Sequence, residues 1–140
     1  YIQLLNQAIE LNKSGKIKMS SSYDIEINKP CLIPEIYIDD IYMRLKYYRM
    51  ISSCKDENEL EELLFAIQDI YGPVPEELNN LLIISLMKQK LSDKNIQRLK
   101  IYNDSVTIQF NKESILKFNL ESDDLRTNCD EIIEQVNNSN

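Results

Sequence analysis

From Asp56 to Glu77 the sequence places eight carboxylates, Asp56, Glu57, Glu59, Glu61, Glu62, Asp69, Glu76 and Glu77, with no lysine or arginine among them. Carboxylates in such number serve metal coordination or general acid–base catalysis when they converge on one point. Their spacing points elsewhere. Most fall in the first turns of two predicted helices, where the positive end of the helix dipole favours negative charge. No D-x-[DN]-x-[DN]-G calcium loop is present. A metal-dependent hydrolase built on these carboxylates lacks a ligand pattern, and no metal site is expected. The other use for such a face is contact with a basic partner.

Nucleophilic and cofactor chemistry find equally little support. Cys31, Cys54 and Cys129 are the only cysteines, no C-x-x-C pair occurs, and the chain has no histidine. That removes the usual zinc ligand sets and leaves any thiol without the imidazole that commonly activates it. All three are expected to be reduced, core or near-core thiols in a reducing compartment. The only glycines are Gly15 and Gly72, too few for a dinucleotide fingerprint. Ser14-Gly15-Lys16 resembles the end of a phosphate loop, but Glu10 stands at the first glycine position and Ile17 replaces the hydroxyl. No catalytic or cofactor-binding residue is expected in this chain.

Net charge is −7. Nucleic-acid binding rests on lysine and arginine neutralising phosphates, so an acidic average disfavours it as a primary role. The local alternative is a small nucleic-acid-binding module using Lys88, Lys90, Lys94, Arg98 and Lys100, spread over a predicted helix, a turn and a strand. No apolar run approaches the roughly 18 residues of a membrane span, and no basic-then-apolar leader opens the chain. The expected address is cytoplasmic. The chain begins at Tyr1 rather than Met and is expected to be a piece of a longer protein.

The elements that would position these residues follow from hydrophobic period. Ile2, Leu5 and Ile9 predict a helix over 2–12, ended near Gly15, with a polar connector over 16–22. Tyr23, Ile25 and Ile27 alternate as a strand, closed by Pro30 and Pro34. Asp39 or Asp40 caps a helix over about 40–54. Asp56 with Glu59 three residues on forms a capping box for the next helix. Its core face is Leu60, Leu63, Leu64, Ile67 and Tyr71, and Gly72-Pro73 stops it. Pro75 opens a further helix burying Leu78, Leu81, Leu82, Leu86 and Leu91. Ile96, Leu99 and Ile101 turn at Asn103-Asp104 into Val106, Ile108 and Phe110, and Leu116, Phe118 and Leu120 add a third strand. Ser122 caps a last helix with Leu125, Cys129, Ile132, Ile133 and Val136, and the tail from Asn137 frays. The expected fold class is α+β, a helical middle packed on a small antiparallel sheet. The expected division is 1–15, from a preceding domain or linker helix, and 16–140.

One charged residue does not fit a simple amphipathic helix. Projected at about 100° per residue, Ile41, Met43, Leu45, Tyr47, Tyr48, Met50, Ile51 and Cys54 cover most of the 40–54 helix, opposite Tyr42, Lys46, Arg49 and Ser53. Arg44 falls inside the apolar arc. A buried guanidinium needs a carboxylate or several carbonyls. The expectation is an internal pair with Asp39, Asp69 or a carboxylate of the 56–71 helix; a contact to another domain is the alternative.

The run Ile33-Pro34-x-x-Tyr37-Ile38-x-Asp40-x-x-x-Arg44-Leu45-x-x-Tyr48-Arg49 resembles the signature of the C-terminal domain of bacterial transcription-repair coupling factors. Asn58-Glu59-Leu60-Glu61-Glu62-Leu63, the turn Asp69-Ile70-Tyr71-Gly72-Pro73-Val74-Pro75, Asn80-Leu81-Leu82 and the Ile96-to-Phe110 hairpin are similar in the same order. The resemblance runs to about Lys112. This chain departs from the pattern at Asp39, where the family has proline, and at Met50, where it has arginine. Ala66 and Ile70 replace a family glutamate and arginine, leaving Asp69 as the retained charge.

The resemblance implies a regulatory piece of a large ATP-driven DNA translocase that engages RNA polymerase, duplex DNA and the excision-repair protein UvrA. In that family this domain packs on an N-terminal UvrB-like domain and masks the UvrA-binding surface. ATP and magnesium are then expected only in an upstream motor, with no direct DNA contact from this chain. Interdomain contact is expected through Asp69, Glu62 and Glu59. Pro34, Tyr37, Arg44, Leu45, Tyr48, Gly72, Pro73 and Pro75 are the structural signature. The 140-residue chain alone is expected to show no ATPase activity; robust hydrolysis by the purified chain overturns that expectation.

Overall fold

The computed structural model describes residues 9–11, 17–19 and 23–139. The order is β1 (Ile9–Leu11), β2 (Ile17–Met19), β3 (Asp24–Ile27), α1 (Ile41–Ser53), α2 (Glu57–Tyr71), α3 (Glu76–Lys90), β4 (Arg98–Tyr102), β5 (Ser105–Gln109), β6 (Ile115–Asn119) and α4 (Leu125–Asn138). The strands lie in one sheet in sequence order. This is an α+β fold, as the sequence predicts. The sheet is mixed rather than purely antiparallel, because β3 pairs parallel with β4 while the other neighbours pair antiparallel. A parallel pair needs a long crossover, and the three helices α1–α3 supply it.

Alternation decides which face of the sheet meets the helices. Ile25, Leu99, Ile101, Val106 and Ile108 are buried, and the register places Ile25 against Leu99, Leu99 against Ile108 and Ile101 against Val106. Arg98, Lys100 and Tyr102 point to the other, exposed face. Asn103 turns the β4–β5 hairpin at φ 55°, a left-handed conformation that asparagine tolerates. Asn28 locks the crossover to this turn: its Nδ2 donates to Asn103 Oδ1 at 2.9 Å and its Oδ1 accepts from Asn103 N–H at 3.0 Å.

At the N-terminus the structure departs from the helical period. Residues 9–11 form β1, paired with β2, where a helix over 2–12 and a polar connector over 16–22 are expected. A short isolated helix is marginal, whereas a neighbouring strand supplies a ladder of backbone bonds. Residues 1–8 and the expected boundary between 15 and 16 lie outside the described residues.

Helix α3 is the centre of the packing. Leu78, Leu81, Ile84, Met87 and the following Leu91 are almost fully buried, and Leu82 and Ile83 nearly so. Lys88 is also buried, its Nζ donating to Tyr23 C=O at 2.8 Å and lying 5.1 Å from the Tyr23 ring centroid. That anchor ties the helical layer to the start of β3. Asp40 rather than Asp39 caps α1, accepting from Tyr42 N–H at 2.9 Å. Asp124 rather than Ser122 caps α4, accepting from Thr127 N–H at 2.9 Å, while Ser122 Oγ accepts from Asp124 N–H at 3.0 Å. The α4 helix continues through Asn138, past the expected fraying point.

Arg44 organises the turn before α1. It is buried, and its Nη1 donates to the carbonyls of Ile38 at 2.7 Å and Asp39 at 3.0 Å. The expected carboxylate partner is absent among the described residues. Those carbonyls belong to the turn opened by Pro34, whose C=O accepts from Tyr37 and Ile38 N–H at 3.0 and 3.1 Å. Its chain direction already aims carbonyls at the helix, so backbone satisfies the guanidinium. Tyr48 Oη completes the frame, accepting from Ile33 N–H at 2.7 Å. Met50, assigned to the apolar arc from the sequence, is 40% exposed instead.

Removing a charged donor from two buried carbonyls costs about 3 kcal/mol in comparable settings. Arg44→Met is therefore expected to lower the unfolding free energy by about that amount in urea, with an unchanged denaturant slope. Wild-type stability in that variant contradicts the frame.

Candidate interaction surface

Helix α2 carries the sequence-predicted contact residues, and its two ends fix how they are presented. At its start Asp56 Oδ1 accepts from Glu59 N–H at 2.9 Å, and Lys55 N–H donates to Glu59 Oε2. The Asp56 half of the capping box expected from the sequence is formed, while Glu59 reaches back one residue further than that motif requires, to the N–H preceding the N-cap. That bond gives the Glu59 carboxylate a local structural partner, unlike the other two candidates.

Glu62 and Asp69 are exposed, and neither takes part in an ion pair among the described residues. Leu60, Leu63 and Ile67 of the same helix are buried. At about 100° per residue, Phe65, Asp69, Glu62, Ala66 and Ile70 follow one another around an arc of about 140° that runs from the far side, at Phe65, to the margin of the buried face, at Ile70. Phe65 is 67% and Ile70 66% exposed. The surface is therefore two carboxylates held between apolar side chains. Sequence reasoning selected the carboxylates and passed over Phe65 and Ile70; Phe65 projects opposite Leu60, Leu63 and Ile67, which was the available signal, whereas Ile70 projects about 20° from Leu63 and carries no such signal.

The signature residues stand behind this face. Gly72 ends α2 at φ +90°, a conformation other residues adopt only with strain, and its C=O accepts from Tyr37 Oη at 2.7 Å. The Tyr71 ring lies 5.8 Å from that of Tyr37 and 6.0 Å edge-on from that of Tyr47. Through Tyr37 the Arg44-held turn grips the C-terminal end of α2. Pro73 and Pro75 lead directly into α3, whose N-cap is Pro75. Leu45 is partly buried against the core.

The other candidate chemistries are not assembled. Among the described residues no group of three or more cysteine or acidic side chains is arranged to hold a metal. A cleft between α2 and α3, lined by Leu60, Leu64, Leu82 and Leu86, holds only about 40 Å³. The five basic residues 88–100 do not form one track. Lys88 is inside the fold, Lys90 ends α3, and Arg98 and Lys100 face outward on β4 in register with Asp24 and Glu26. Cys31 and Cys129 are buried and Cys54 partly so. No helix among the described residues is long and apolar enough to cross a membrane.

Among the described residues, four helices pack on a mixed sheet, which defines the class: an α+β domain. A model of the TRCF domain matches residues 27–120, and the chain belongs to that family, the C-terminal domain of transcription-repair coupling factors. It is 31% identical over 115 residues to the transcription-repair-coupling factor of Escherichia coli (strain K12), covering 79% of this chain and 10% of that protein. It is 36% identical over 117 residues to that of Borreliella burgdorferi, covering 82% of this chain and 10% of that protein. The crystal structure of the C-terminal domain of a transcription-repair coupling factor superposes with a TM-score of 0.56 at 27% identity, covering 67% of this chain and 60% of that one. The chain spans about a tenth of the length of the curated relatives it matches.

Burial pushes the Cys31 and Cys129 thiols from near 9 up to about 12. Burial also raises the Tyr23 hydroxyl above 10. Below pH 9 both folded and unfolded chains keep the thiol protons. Between 9 and 12 the unfolded chain releases them first, so stability falls, by at most about 1.4 kcal/mol per pH unit for each group. Urea unfolding across that range is expected to show this decline and a shallower one in the Cys31→Ala/Cys129→Ala variant. An equal slope in both contradicts the assignment.

Proposed function

We propose that the chain is a non-catalytic regulatory domain of a transcription-repair coupling factor, acting through the outward face of α2. The parent is an ATP-dependent DNA translocase that engages RNA polymerase, UvrA and duplex DNA in the cytoplasm. ATP and magnesium are used by its upstream motor. The α2 face packs on the parent's N-terminal UvrB-like domain and masks the UvrA-binding surface until the enzyme engages its target.

The observation that carries this reading is the pairing of exposed, ion-pair-free Asp69 and Glu62 with exposed Phe65 and Ile70 on one helix of a family domain. Exposed apolar side chains on one helix with free carboxylates suit a partner that offers apolar surface and basic charge together. Glu59 contributes chiefly by holding the first turn of α2 in place. The nucleic-acid alternative is weaker because Lys88 lies inside the fold.

Asp69→Lys in the full-length protein reverses the exposed charge without touching the core. Basal UvrA binding is expected to rise by about tenfold, the equivalent of about 1.4 kcal/mol of lost docking. Unchanged UvrA binding and unchanged basal translocation together count against this function.

A further inference from the structure

The α2 face exposes large apolar side chains beside its carboxylates, and that bears on what its partner looks like. Phe65 and Ile70 are the two exposed large hydrophobic residues of α2. They sit at the two edges of the outward arc, with Asp69, Glu62 and Ala66 between them. A helix whose inner face already buries Leu60, Leu63 and Ile67 has no folding use for a second set of large apolar side chains. Held by the capping box at one end and the Tyr37–Gly72 bond at the other, the helix presents them on a fixed backbone.

Resting on the docking reading above, we infer that Phe65 and Ile70 are the anchors of this contact and that Asp69 and Glu62 set its register. The occupant is a surface of the same protein outside this chain: two apolar sockets separated by a lysine or arginine. Two features specify it. Carboxylates without an ion partner, centred between the apolar groups, are matched by a cation centred between sockets. About nine-tenths of the length of the relatives lies outside the matched region, so the molecule has ample surface to supply them. Aromatic and aliphatic anchors dominate such contacts, whereas an ion pair enclosed between them loses in desolvation much of what it gains in attraction.

The consequence is a contact resistant to salt. Screening at 0.5 M salt shortens the Debye length to about 4 Å, which weakens ionic docking and leaves apolar burial in place. Hydrogen–deuterium exchange of α2 amides in the full-length protein reads the contact directly. Protection is expected to change less than about twofold between 0.1 and 0.5 M sodium chloride, and to drop at least about tenfold in Phe65→Ser/Ile70→Ser. Both positions are exposed, so the variant keeps the core; unchanged exchange in the α3 amides checks that. Protection lost with salt or in Asp69→Asn/Glu62→Gln, but kept in Phe65→Ser/Ile70→Ser, overturns the anchor assignment and leaves the docking reading standing. Exchange of α2 that responds to neither pair of substitutions overturns both.

Discussion

The fold of the described residues turns on one buried cation satisfied by backbone. Arg44 reaches the carbonyls of Ile38 and Asp39 where the turn opened by Pro34 ends, and that turn passes its constraint to α2 through the Tyr37–Gly72 bond. Tyr48 fixes the segment before the turn from the same helix. A guanidinium is suited to this because it is always charged and offers several donors in one plane. Carbonyl acceptors spare the fold the cost of burying a second charge. The arrangement stabilises by position as much as by energy: it sets where α2 ends and which way its outer face looks.

Around this frame the remaining elements follow from burial. α3 is surrounded, so it carries apolar residues on nearly every side, and its one buried lysine is tolerated because it donates to the Tyr23 carbonyl over an aromatic ring. The sheet needs only one apolar face, so its strands alternate. The parallel β3–β4 pair joins the first and second halves of the domain, and the Asn28–Asn103 clasp seals its end.

Much of this was legible in the sequence, element by element. The capping box at Asp56 and Glu59, the Gly72 stop and the alternation through β4 and β5 rest on local chemistry, which a single chain displays directly. The unmet expectations share a different cause. The partners of Arg44 are two backbone carbonyls, and backbone acceptors leave no mark on residue identity. The parallel join of β3 to β4 depends on where the crossover delivers the chain, which periodicity does not encode. The basic residues 88–100 dispersed because Lys88 turned inward on a helix buried all round. On the surface itself, charge drew attention to Asp69 and Glu62, although the core face of Leu60, Leu63 and Ile67 was legible and already turned Phe65 outward; the exposure of Ile70, beside Leu63 in projection, emerged only in the structure.

Frame and face together underlie the proposal that this domain acts by presenting a helix. The account's central claim is that the outward face of α2 meets another part of the same protein. A photo-reactive amino acid placed at Phe65 of the full-length protein tests this most directly, with Tyr102 on the exposed sheet face as the comparison site. The account predicts an intramolecular cross-link from position 65 into a segment outside this chain, and none from position 102. Cross-links from position 102 with none from position 65 contradict it.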